Sequence, residues 1–194
     1  LKAEVLARTA VIVNEFGEIG IDHLLVEQSD DQLVELSGGC LCCAVRGDLA
    51  RTLADLLARR ARGDCLPFER IVIETTGIAD PVPVVNLLTT DPGLAEQAVL
   101  GNVLTTVDAV NGEATLAAQP TAERQVALAD YLVVTKQDIA APPGALVDTL
   151  RRLNPGAVRL DAAHGDAAGD AALVERFFES ERRAPGERVA MQAG

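Results

Sequence analysis

Aromatic side chains are nearly missing from this chain: they make up 3 % of its 194 residues, with one Tyr and no Trp. A core built without them must be aliphatic, and a hydrophobic fraction of 48 % supplies the material. Val, Leu, Ile and Ala packed between layers favour an α/β architecture over an all-β sandwich. Positive charge is also scarce, with 17 basic residues against 29 acidic ones and a formal net charge of −12. Such a field repels phosphate backbones and anionic lipid, which argues against nucleic acid as a partner. No apolar run reaches the roughly 20 residues that a membrane-spanning helix needs, so no membrane partner is expected and the chain reads as soluble. Lysine is rarer still, with Lys2 and Lys136 standing against fifteen arginines. For Lys136, drift at a tolerant position and a specific role both fit.

Only four cysteines are present, and three of them crowd into GGCLCC at residues 38–43. A disulfide scaffold spreads its thiols to close loops, whereas vicinal Cys42 and Cys43 would make a strained bridge that closes almost nothing. Clustered free thiols suit a reducing compartment, with the cytoplasm as the default location.

Short apolar runs recur along the chain, and each opens into polar residues at its carboxyl end. They are TAVIV (9–13), RIVIETTG (70–77), GNVLTTVDA (101–109), DYLVVTKQD (130–138) and a weaker AVRLDA (157–162). Amphipathic patterns alternate with them at 47–62, 80–90, 121–129, 144–153 and 171–183. In the second of these, Asp80 is a candidate N-cap with Pro81 at the first helical position. Strands too hydrophobic to be half exposed, alternating with helices, predict a mostly parallel sheet with helices on both faces, a three-layer α/β/α arrangement. Ligands bind such sheets beyond the carboxyl ends of the strands, so the polar strand ends are predicted to converge on one rim. Residues 1–183 read as one domain and 184–194 as a linker or tail.

Four stretches carry chemistry at that rim. In TKQD, the Asp138 carboxylate stands two residues beyond Lys136 and can accept from guanine's ring N–H and exocyclic amine, while the lysine stem covers the base plane. A polar turn after a strand is the plainer reading. In IETTG, Glu74 can hold a Mg²⁺-bound water and Gly77 can bring its N–H to a terminal phosphate. The plainer reading, a strand end leading into a capped helix, leaves Glu74 unexplained in an apolar strand. NEFGEIGID (14–22) sets Glu15, Glu18 and Asp22 on a Gly-interrupted loop, suited to a divalent cation or simply to solvent. Cys40, Cys42 and Cys43 can supply three of the four tetrahedral positions of Zn²⁺ or a similar ion and leave one open for transfer. Buried small hydrophobes and a thiol redox switch are the alternatives. Cys65 receives no role; His164 could be a distant ligand, although a lone loop histidine usually is not one.

Together and in this order, VIVNEFGEIGID, GGCLCC, AVRGDL, VIETTGIADP, TTVDAV and ADYLVVTKQD resemble the signatures of the CobW-type metal-chaperone GTPases, relatives of the urease and hydrogenase nickel-insertion GTPases. The resemblance implies a P-loop NTPase-like fold that binds and hydrolyses GTP with Mg²⁺ and couples GTP or GDP to holding or releasing a transition metal, Zn²⁺ or Co²⁺. It implies Cys40, Cys42 and Cys43 as metal thiolates with Glu18 as a further ligand. Glu74 becomes the Walker-B-like acid, Gly77 the γ-phosphate contact, and Thr135, Lys136 and Asp138 the guanine-binding turn. Thr135 stands where the broader GTPase pattern has Asn. The implied partners are a client metalloprotein or metal-inserting complex and, in a nucleotide-dependent homodimer, a second copy.

Members of that family carry G-x-x-G-x-G-K-[ST] before the first of these motifs, and these 194 residues contain no Gly-Lys pair. LKAEVLA at 1–7 reads as the tail of the helix after such a loop, so the chain by itself is not expected to hydrolyse GTP. The competing functional reading is a nucleotide-independent zinc sensor or buffer on a degenerate scaffold. The leading reading also expects the cysteine trio and the guanine-reading turn on a common edge of one sheet.

Overall fold

The computed structural model describes residues 8–14, 33–35, 44–65, 67–161 and 177. The chain divides into two compact units, residues 1–98 and 99–194.

In the first unit the order is β1 (Thr9–Asn14), β2 (Leu33–Glu35), α1 (Ala44–Arg62), β3 (Arg70–Thr75), α2 (Val82–Thr90) and α3 (Pro92–Ala95). The three strands form a parallel sheet in the order β2-β1-β3, and the register sets Val13 beside Glu74 and Asn14 beside Thr75. Leu49, Leu53, Leu56 and Leu57 recur along one stripe of α1, and all four are buried with Ala10 and Ile12 of β1, Phe68, Leu87 of α2 and Leu94 of α3. Each such leucine contributes roughly 1.5–3 kcal/mol when fully removed from water. Helix α1 ends in a Schellman motif, in which Gly63 adopts φ +74°. The Asp64 N–H donates to the Arg59 carbonyl at 2.9 Å and the Gly63 N–H to that of Arg60 at 3.2 Å. Three arginines in the last turn, Arg59, Arg60 and Arg62, complement the helix dipole there.

In the second unit the order is β4 (Leu104–Asp108), α4 (Gly112–Ala118), α5 (Pro120–Leu128), β5 (Tyr131–Thr135), α6 (Gly144–Leu153) and β6 (Val158–Asp161). The sheet is again parallel, in the order β4-β5-β6. Tyr131, Leu132, Val133 and Val134 of the central strand are all buried, as the unbroken apolar run requires of a strand covered on both faces. Leu132 and Val134 share a core with Val107, Leu116 of α4, Val126 of α5, and Leu146 and Leu150 of α6. The Tyr131 ring meets Phe177 edge to face at 6.0 Å. Asn154 locks this unit together: its Nδ2 donates to the carbonyls of Val126 and Ala129 at 2.8 Å each, capping the end of α5, while its Oδ1 accepts from the Ala157 N–H.

Parallel α/β architecture is thus what the apolar runs predict, and five strands fall where those runs lie. The described strands pair as two three-stranded ladders, one in each unit. Strand β2 and helices α3 and α4 are additions to the expectation. Helix α2 begins at Val82, with Pro81 as its N-cap, one position later than expected. Asp80 still serves that end, because its Oδ1 accepts the Val82 N–H at 3.0 Å. The helix expected at 171–183 and the tail at 184–194 lie outside the described residues, apart from Phe177.

Candidate functional site

In the second unit the register aligns the carboxyl ends of all three strands, Asp108 beside Thr135 and Val134 beside Asp161. The turn after β5 is built on this rim. The Lys136 carbonyl accepts from the N–H groups of Ile139 and Ala140 at 3.0 and 3.2 Å, folding 136–140 into a tight turn. Lys136 sits at φ +59°, a left-handed conformation costing a non-glycine residue roughly 1–2 kcal/mol unless its surroundings hold it there. They do so through β4. The Ala109 N–H donates to the Thr135 carbonyl at 3.0 Å, the Thr135 hydroxyl reaches the Val107 carbonyl at 3.4 Å, and the Lys136 ammonium lies 2.7 Å from Asp108 Oδ2. Gln137 braces the other side, donating to the Val134 carbonyl at 3.0 Å and to Asp161 Oδ1 at 2.9 Å.

Asp108 also accepts on Oδ1 from the Val110 and Asn111 N–H groups, at 2.7 and 3.3 Å, and on Oδ2 from the Asn111 side chain at 3.2 Å. The Lys136 ammonium holds this carboxyl below the usual carboxylate range, helped by the Val110 and Asn111 donors and opposed by partial burial. Asp138 is different: it is exposed, and its carboxylate has no hydrogen-bond or ion-pair partner among the described residues. An unspent carboxylate at a strand end can take two parallel N–H donors of a planar ligand, the pattern of guanine's Watson–Crick edge. The side chain of Ile139 beside it is 68 % exposed.

In the first unit Glu74 is exposed near the carboxyl end of β3 and likewise has no partner among the described residues. As a single hard oxygen donor it suits Mg²⁺. Gly77 lies in the turn closed by the Ala79 N–H and the Thr76 carbonyl at 3.0 Å, and a Cβ placed on it would meet no atom within 4 Å. The Thr76 hydroxyl is buried and has no hydrogen-bond partner among the described residues.

Of the predicted site residues, Thr135, Lys136 and Asp138 share one turn of the second unit, and Glu74 and Gly77 share one strand end of the first. Cys40, Cys42, Cys43, Glu18 and His164 lie outside the described residues. Cys65 is a free, half-buried thiol against the first unit's core. Among the described residues no group of three or more His, Cys, Asp or Glu side chains could hold a metal ion, and no helix is long and apolar enough to cross a membrane. Asp108, Asn111 and Gln137 were not singled out by sequence. The one available signal was TTVDAV, a second strand run ending in an acid.

A sequence profile for the CobW/HypB/UreG nucleotide-binding domain matches residues 1–159. The zinc chaperone YjiA of Escherichia coli is 36 % identical over 159 residues, covering 82 % of this chain and 50 % of the relative. Its crystal structure, described as Zn(II)-bound YjiA GTPase, superposes with a TM-score of 0.65 at 30 % identity over the same shares. The nickel complex of HypB from Helicobacter pylori, 14 % identical, has the same fold, with a TM-score of 0.61 over 90 % of this chain and 75 % of that one. These neighbours make the fold a P-loop GTPase α/β fold. The chain spans about half the length of the curated relative YjiA.

Proposed function

Since the chain belongs to the CobW/HypB/UreG nucleotide-binding domain family, we propose that it is the guanine-nucleotide-binding part of a GTP-hydrolysing metallochaperone. The observation that carries this reading is the turn after β5, where the Asp138 carboxylate, two residues beyond a lysine bound to Asp108, has no partner among the described residues. There Asp138 accepts the ring N–H and exocyclic amine of guanine, the Lys136 stem lies along the base, and Thr135 ties the turn to β4. Adenine offers no such pair of donors on that edge.

Glu74 and Gly77 serve the phosphate side. Mg²⁺ accompanying the nucleotide neutralises phosphate charge when bound, and Glu74 is the carboxylate for its hydration shell. Gly77 lets backbone come close to the terminal phosphate. With no Gly-Lys pair in these 194 residues, hydrolysis requires a phosphate-cradling segment that they do not contain.

The cargo is a transition metal held by Cys40, Cys42 and Cys43, with Glu18 as a further ligand. The name of the E. coli relative favours zinc over cobalt. Contacts to the terminal phosphate would order the 14–22 loop, and hydrolysis would loosen it and release the ion to a client metalloprotein or metal-inserting complex. A second copy joins in the nucleotide-bound state. Three clustered thiols fit a reducing, cytoplasmic setting.

The test uses the full-length protein. Zinc affinity should be higher with a non-hydrolysable GTP analogue than with GDP, and equal affinities would remove the coupling. Replacing all three cysteines by Ser should abolish zinc binding in both states; retained zinc would place the metal elsewhere. Tight zinc binding with no guanine-nucleotide binding would instead favour the sensor or buffer reading.

A further inference from the structure

Asp108 has no part in the roles assigned above, yet it accepts four hydrogen bonds on the rim that carries the base-reading turn. Its two oxygens divide the work. Oδ1 takes the Val110 and Asn111 N–H groups and shapes the segment after β4, while Oδ2 takes the Asn111 side chain and the Lys136 ammonium, 28 residues further along the chain. We infer that Asp108 is a positioning residue for nucleotide specificity: by binding the Lys136 ammonium it fixes the turn after β5 and keeps that cation away from Asp138. The inference rests on the guanine-binding reading.

Asp108 and Asp138 compete for one ammonium. A lysine and an aspartate two residues apart in a tight turn attract one another, and an ammonium resting on Asp138 would neutralise the carboxylate and occupy its lone pairs. In the structure the ammonium lies 2.7 Å from Asp108 instead, and Asp138 has no partner among the described residues. The same bond holds Lys136 in its left-handed conformation, since it fixes the end of a side chain whose backbone carbonyl is already committed to Ile139 and Ala140. One carboxylate is thus spent on the lysine so that the other remains available to the base. A purely structural role for Asp108 would be confined to its bonds within the segment 108–111.

Asp108→Asn separates these roles, because an amide oxygen still accepts from the Val110 and Asn111 backbone N–H groups, while the amide nitrogen accepts from neither the Lys136 ammonium nor the Asn111 side chain, which can turn its own oxygen toward it. The experiment titrates the full-length protein with Mg–GDP and Mg–ADP, in wild type, Asp108→Asn, Lys136→Met and the double variant. Asp108→Asn should weaken GDP binding about tenfold and leave ADP binding unchanged, lowering the GDP/ADP preference by that factor. In the Lys136→Met background, with no ammonium left to misplace, the Asn substitution should add no further loss. An unchanged preference in Asp108→Asn, or an equal loss in both backgrounds, overturns the inference while the guanine reading stands. A wild-type protein without GDP preference overturns the guanine reading and this inference with it. Should Asp108→Asn fail to fold, Lys136→Arg should keep the preference, and Lys136→Met, which unties the turn from Asp108, should lower it about tenfold; equal preferences in the two overturn the inference.

Discussion

The two polar strand ends of this protein are built on different principles. On the second unit's rim the turn after β5 is tied before any ligand arrives, through the Lys136–Asp108 ion pair, the Thr135 bonds to β4 and the Gln137 brace to Asp161. On the first unit's strand end neither Glu74 nor the buried Thr76 hydroxyl has a partner among the described residues, and Ile78 is 61 % exposed. A base of fixed shape is best met by a rigid, preorganised acceptor, since ordering a loop on binding costs affinity. A phosphate group that is present in one state and gone in the next calls for residues that commit only when it is there. Under the proposed function, the contrast suits recognition by the second unit and response by the first.

The largest effect on this contrast should come from beneath the braced rim. A Cβ on Gly112, the first residue of α4, would stand 2.8 Å from Val107 Cγ1 and 3.4 Å from Leu146, both buried. Gly112→Ala should therefore cost about 1–3 kcal/mol of unfolding free energy, measurable in a urea melt. A loss under about 0.5 kcal/mol would mean that the packing under the rim gives way more easily than the structure implies.

A smaller effect isolates the strained residue. Lys136→Gly and Lys136→Ala both remove the ammonium, but only glycine accepts φ +59° without a steric cost. The Gly variant should be the more stable of the two by about 1 kcal/mol, and the reverse order would show that the turn abandons that conformation once the ion pair is gone.

The ion pair itself is sharpened by pH. Asp108 titrates below its unfolded-state value, so its contribution is fully present above pH ~4 and is lost as pH falls through the lower folded-state value. Thermal melts of wild type and Asp108→Asn should differ by a constant amount from pH 7 to pH 5, and the gap should close in more acidic buffer. A gap that instead widens with acidity would contradict the pairing. The smallest effect is expected at Glu74: with no partner to lose among the described residues, Glu74→Gln should change stability by less than about 0.5 kcal/mol. A larger loss would mean that the first unit's strand end is braced after all.

Much of this architecture could be read from the chain in advance, because it is written in local patterns. The all-apolar run at 131–134 demanded a strand covered on both faces, and the leucine stripe of α1 with Gly63 beyond it set that helix and its end. Strand β2 escaped because three residues, LVE, carry no period. Helix α4 escaped because GEATLAA follows a strand end that already looked like loop. Lys136 and Asp138 stand out in the sequence through the bias against lysine and through their spacing. Asp108 was not, since its partner is set by the parallel register of β4 and β5 across 28 residues, which no local pattern encodes. The left-handed backbone of Lys136 was equally silent, for nothing in a lysine announces a positive φ. The cysteine trio and Glu18 lie outside the described residues and stand as proposals.

The central claim is that Asp138 reads guanine, and the most direct measurement exchanges its hydrogen-bonding character. In full-length protein, Asp138→Asn replaces an acceptor with a group that can also donate, which suits the extra carbonyl of xanthine rather than the amine of guanine. The account predicts that the wild type binds GDP well above XDP, and that the variant loses roughly a hundredfold or more in GDP affinity while gaining affinity for XDP. A variant that binds GDP as tightly as wild type would contradict it.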